Sequence, residues 1–69
     1  MKISARNIIK GKVKEIVPGA VNSEVIITTD GGETIVAVIT KDSSENLGLQ
    51  VGKEVYAVIK ASNVMVAVD

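Results

Sequence analysis

The chain of 69 residues contains no cysteine, histidine, tryptophan or phenylalanine, and only one tyrosine and one proline. Without cysteine there is no disulfide framework, and without cysteine and histidine the usual zinc and iron–sulfur sites are out of reach. We expect no metal held as a bare cation. Nucleophilic or general-base chemistry would fall to Asp, Glu, Lys or Tyr56, and no two carboxylates stand at a telling spacing. A protein that is not an enzyme is the expectation. Tyr56, the sole aromatic, is too little for the stacking platforms that hold single-stranded nucleic acid, and reads as core packing. Net charge is missing too: eight Lys and Arg balance eight Asp and Glu, which leaves no field to hold a polyanion. No run approaches the roughly 20 apolar residues of a membrane span, and no secretory leader is evident. A cytoplasmic protein without nucleic-acid or membrane partners fits these absences.

What is present is apolar residue content, 46% of a short chain. A single domain of residues 1–69 buries only about 60% of its unfolded surface. Domains this small are usually reinforced by disulfides, metals or oligomerisation, and only the last remains here. Two segments say the same. Ile35, Ala37 and Ile39 alternate with Val36 and Val38, and Val64, Val66 and Val68 alternate with Met65 and Ala67. A half-exposed strand alternates apolar with polar; these are apolar on both faces. The outer face of so small a barrel is then covered by a second copy, so the chain is expected to be a homo-oligomer.

Turn residues divide the chain into elements. Ile3–Val17 reads as a long first strand with a bulge or bend at Gly11, ended by Pro18-Gly19. Val21–Thr29 is rich in β-branched residues and reads as a second strand. Asp30-Gly31-Gly32 is a hairpin turn leading to a third strand, Glu33–Thr40; the lysine and helix of a phosphate loop do not follow it. Asp42 as N-cap, with Glu45 reaching back, opens a short helix to Leu47, and Gly48 suits its C′ position. Glu54–Lys60 and Val64–Val68 give a fourth and a fifth strand around an Ala61-Ser62-Asn63 turn. The order predicts an all-β, five-stranded OB-like barrel with one short helix between strands 3 and 4. Composition and periodicity also admit an SH3-like barrel.

Two motifs carry chemistry. Ser4-Ala5-Arg6-Asn7 leads into Lys10-Gly11-Lys12-Val13, and Val58-Ile59-Lys60-Ala61-Ser62 lies near the other end. Each short motif sets a cation beside a hydroxyl and small residues, with no carboxylate. Donors without acceptors are what an oxyanion needs. Taken singly, Arg6 and Lys60 read as solvated strand ends.

Together these motifs resemble the molbindin (Mop) family of small molybdate- and tungstate-binding proteins, and the resemblance runs from Lys2 to Val68. One departure is Ile8, where the family usually has glutamine; it is expected to alter local packing rather than anion contacts. The resemblance implies an OB-like fold and a homohexamer built as a trimer of dimers, with oxyanion sites between subunits. It implies a main site of Ser4, Ala5, Arg6, Lys60, Ala61 and Ser62. The loop before strand 2 implies a second type of site, with Val21, Asn22 and Ser23; Ser43 is a further candidate, although helix capping explains it equally well. No cofactor is expected, only the ligand molybdate or tungstate, stored or buffered in the cytoplasm. With the motif starting so near Met1, no DNA-binding or ATPase domain is expected ahead of it. A cage without acceptors disfavours hydrogen phosphate, whose O–H would lack a partner. The alternative is an OB-type module binding single-stranded nucleic acid, which steep salt dependence would reveal.

Overall fold

The computed structural model describes residues 1–69. Four strands and one short helix form it, in the order β1 (Asn7–Pro18), β2 (Asn22–Thr29), β3 (Thr34–Thr40), α1 (Lys41–Asn46) and β4 (Glu54–Ile59). A 3-10 turn, Ala61–Asn63, follows β4. The sheet is antiparallel with order β3-β2-β1-β4. The long β1 makes this possible, pairing with β4 through residues 7–12 and with β2 through residues 11–18. The sheet therefore curls around its own inner face into a partly closed, OB-like barrel.

The expected five strands are four. Val64–Val68 forms no strand: Met65, Val66 and Val68 are each at least 90% exposed. Alternating valines favour extended backbone, but a strand also needs a partner ladder, and none of the 33 backbone hydrogen bonds reaches residues 65–69. The barrel stays open between its edge strands, β3 and β4. A groove of about 620 Å³, lined mostly by apolar residues of β3 and β4, occupies the gap.

The first strand begins at Asn7, not Ile3, because its first ladder partner is Ile59, the last residue of β4. Nor is Gly11 the bulge. It pairs with both Thr29 and Val55, and its function is close approach: a Cβ there would stand 2.5 Å from the Thr28 carbonyl oxygen. The register instead shifts between Val13 and Glu15. Val13 and Ile16 both pack inward but lie three residues apart, which a period of two cannot satisfy. One extra residue, Lys14, restores the alternation.

The hairpin after β2 forms as expected, with Thr29 N–H donating to the Glu33 carbonyl (2.8 Å). The helix is capped two residues earlier than expected, by Thr40 and not Asp42. Thr40, still extended at the end of β3, accepts from Ser43 N–H (3.0 Å), and Asp42 lies in the first turn, where its charge suits the helix dipole. Gly48 takes the left-handed position after the helix (φ +63°). Lys53 Nζ donates to the carbonyls of Leu47 (2.7 Å) and Gly48 (3.3 Å), satisfying groups the helix end leaves free.

The core is small. Val13, Val25, Ile27 and Ala57 are its buried apolar members, flanked by Ile16, Ile35, Ala37, Ile39, Leu49 and Val55. Only 8 of 69 residues are buried, and large apolar side chains such as Val36, Val38 and Val58 remain exposed. Tyr56, expected in the core, is 51% exposed. It sits beside the inward Ala57 on β4, and alternation turns it to the outer face opposite Lys10. No helix is long and apolar enough to cross a membrane.

Candidate anion site at the β1/β4 end

Antiparallel pairing decides where the two motifs meet. Asn7 is paired with Ile59, so Arg6 and Lys60, one residue beyond each, leave the same end of the β1/β4 ladder opposite one another. Segments more than 50 residues apart in sequence thus converge. The Asn7 side-chain amide donates to the Ile59 carbonyl (3.1 Å) and ties the two strand ends together at that point. Ser4, Arg6, Lys60, Ala61 and Ser62 are exposed and Ala5 is half-buried, so donors from both segments are open to a ligand.

Charge at this end is one-sided. The molecule's single ion pair joins Lys10 and Glu54 (3.3 Å), leaving Arg6 and Lys60 without a carboxylate partner. The hydrogen bond to Glu54, and then its charge, hold the Lys10 ammonium above the usual lysine range. Lys10 is thus already committed to a neighbour, whereas the cations at the ladder end are not. Beyond them, the first hydrogen bond of the 3-10 turn comes from Asn63 N–H to the Lys60 carbonyl (2.9 Å). The N–H groups of Ala61 and Ser62 take no part in that turn, as is general for the first residues of a helix. Two cations, two exposed serines and the amides that the turn does not use are groups of the kind a tetrahedral oxyanion accepts from. No three His, Cys, Asp or Glu side chains gather anywhere in the chain as a cation site would require.

The residues of the second expected site lie at the opposite end of β1, roughly 35 Å away along a strand of that length. Val21 and Asn22 are exposed, with the Val21 carbonyl accepting from Lys41 N–H and the Asn22 carbonyl from Gly19 N–H (both 2.8 Å). Asn22 pairs with Thr40, whose hydroxyl donates to Ser43 Oγ (2.8 Å), so Asn22 and Ser43 share one neighbour. Ser23 is different. Strand alternation buries it (2% exposed) toward a cavity of about 300 Å³ beside Lys41, Ser44 and Glu45. A single chain therefore brings Val21, Asn22 and Ser43 to one edge and turns Ser23 to the other face.

Sequence reasoning did not single out Asn7 as part of the main site, although it stands inside the Ser-Ala-Arg-Asn motif. Its signal is an amide placed just before the apolar Ile8-Ile9. Its task becomes visible only with the register. Ile8 pairs with Val58 on the rung next to Asn7↔Ile59 and is 42% exposed.

Comparison with known proteins places this geometry in a family. The TOBE domain model matches residues 3–66. The chain is 49% identical over 69 residues to a probable molybdenum-pterin-binding protein of Haemophilus influenzae, covering all of both chains. Its fold is similar to that of MopII from Clostridium pasteurianum, with TM-score 0.92 and 43% identity over 97% of this chain and 100% of that one. It is equally similar to the cytoplasmic molybdate-binding protein ModG with molybdate bound: TM-score 0.91 and 49% identity over 94% of this chain and 46% of ModG. The chain belongs to the TOBE-domain family and, within it, to the molybdenum-pterin-binding (Mop) proteins, the molbindins.

Proposed function

We propose that this protein binds molybdate, or its congener tungstate, at the β1/β4 end, and that it stores and buffers the oxyanion in the cytoplasm without transforming it. The observation that carries the proposal is the register Asn7↔Ile59, which brings two uncompensated cations, each beside a serine, to one point. A relative named for molybdenum-pterin binding and a solved structure named for molybdate binding agree with this chain in sequence or fold along nearly its whole length. Arg6 is the fork donor, Lys60 the second charge, Ser4 and Ser62 the hydroxyl donors, and the amides of Ala5, Ala61 and Ser62 complete the set. One chain offers these groups on an open surface. Closing them around an anion requires a second copy, so the sites lie between subunits of a homo-oligomer, for which a hexamer of three dimers is the proposed form. Val21, Asn22, Ser23 and Ser43 contribute to a second type of site in the same assembly.

A cage without a carboxylate suits an oxyanion that carries no proton, and offers the O–H of hydrogen phosphate only serine hydroxyls as acceptors. Isothermal titration calorimetry should show uptake of molybdate and far weaker uptake of phosphate. Each charge-assisted hydrogen bond is worth about 1.5–3 kcal/mol, so Arg6→Ala or Lys60→Ala should weaken molybdate binding roughly ten- to a hundredfold. Unchanged affinity in both variants would remove the site from this end of the sheet.

A further inference from the structure

The cavity of about 300 Å³ beside α1 is lined by polar side chains that the chain itself leaves unused. Ser23 is the clearest of them. Alternation puts it in the inward row of β2 with Val25, Ile27 and Thr29, a place where valine would pack. The buried polar residues are Ser23 (2% exposed), Thr29 and Ser44 (9%). Thr29 is bonded to Glu33. The Ser23 and Ser44 hydroxyls take part in none of the chain's side-chain hydrogen bonds. No enclosed side-chain oxygen lacks a partner, so both hydroxyls open onto the cavity they line. Buried hydroxyls are as a rule hydrogen-bonded, and the partner these two can reach is an occupant of that cavity.

Charge separates this cavity from the β1/β4 end. Lys41 and Glu45 stand one helical turn apart on α1 and both line it, yet the chain's single ion pair joins Lys10 and Glu54. The cavity therefore presents one cation and one anion that do not bond each other. Gln50 adds an amide that both donates and accepts. A bare dianion is repelled by Glu45. A small molecule carrying both charges meets a partner for each.

We propose that this cavity binds a small zwitterion of the free amino acid type. Its carboxylate accepts from Lys41 and the two serine hydroxyls, its ammonium donates to Glu45 and Gln50, and Ile16 and Leu49 face its apolar part. A volume at the lower end of small-molecule pockets suits a ligand of few heavy atoms. The site is independent of the β1/β4 end, and stands whether or not molybdate binds there.

The test is an NMR titration of the full, nitrogen-15-labelled chain with glycine, L-alanine and L-leucine, and separately with acetate, methylammonium and molybdate. At least one amino acid should shift the amides of Ser23, Ser44, Leu49 and Gln50 to saturation. Acetate and methylammonium, with one charge each, should bind about tenfold more weakly or not at all. Glu45→Gln and Ser44→Ala should each weaken the amino acid about tenfold, the loss of one hydrogen bond to a charged group. Neither endangers the fold, since Glu45 is exposed and alanine is the best helix former. No saturable change with any of the three amino acids would overturn the proposal, as would an equal response to acetate. Saturation of the same amides by molybdate, strengthened in Glu45→Gln, would overturn it in favour of an oxyanion.

Discussion

At the scale of single residues, small groups decide the geometry. Gly11 lies where β1 serves two partners, and any Cβ there meets the Thr28 carbonyl oxygen at 2.5 Å and Ile27 Cγ2 at 2.9 Å. Gly11→Ala is expected to lower stability by about 1–3 kcal/mol through overpacking, read as a lower urea midpoint with an unchanged m-value. Glu33 is a second case. The Thr29 hydroxyl donates to its carboxylate (2.7 Å) and accepts from its N–H (3.0 Å), and the first of these, with a backbone contribution, holds its pKa below the usual carboxylate value. A depressed folded-state pKa means stabilisation that is complete above the unfolded carboxylate range and is lost as pH falls through the lower folded value. Thr29→Val should bring the Glu33 titration back up toward its ordinary value in an NMR pH series. An unmoved midpoint would show that the hydroxyl is not the cause.

Elements explain both what was readable in the sequence and what was not. The second and third strands and their hairpin were legible to within a residue at each end, because β-branched runs and Asp30-Gly31-Gly32 leave few alternatives. The two anion motifs were legible as motifs, since cations beside serines without carboxylates are a local pattern. Their convergence was not, because it depends on the register of β1 against β4. The role of Asn7 was hidden for the same reason. The bulge was in principle readable: Val13 and Ile16 stand three apart in a period-two strand, a conflict that Gly11 drew attention away from. The fifth strand failed on different grounds. Alternating apolar residues in Val64–Val68 favour extended backbone, but they do not say whether a neighbouring strand is there to pair with, and none is. Asn7 supplies the prediction at this scale. Asn7→Ala should loosen the tie to the Ile59 carbonyl, so molybdate affinity falls several-fold while the urea midpoint shifts by no more than about 1 kcal/mol equivalent. Equal losses of affinity and stability would make Asn7 merely structural.

For the whole molecule, the decisive fact is how little one chain hides. Four apolar residues form the buried core, while Val36, Val38, Tyr56, Met65, Val66 and Val68 remain more than half exposed. A patchwork of this kind is ordinarily covered in an assembly. The residues expected to supply donors at the β1/β4 end are open in the same way: all but the half-buried Ala5 are exposed. On the proposed reading association and anion binding are linked, since a ligand held between copies would stabilise the assembly by mass action. The most direct test is native mass spectrometry of the full chain titrated separately with molybdate, sulfate and phosphate. The account predicts a discrete oligomer that takes up several molybdates and survives higher activation energy when loaded, with little or no phosphate retained. A monomer indifferent to all three anions would contradict it.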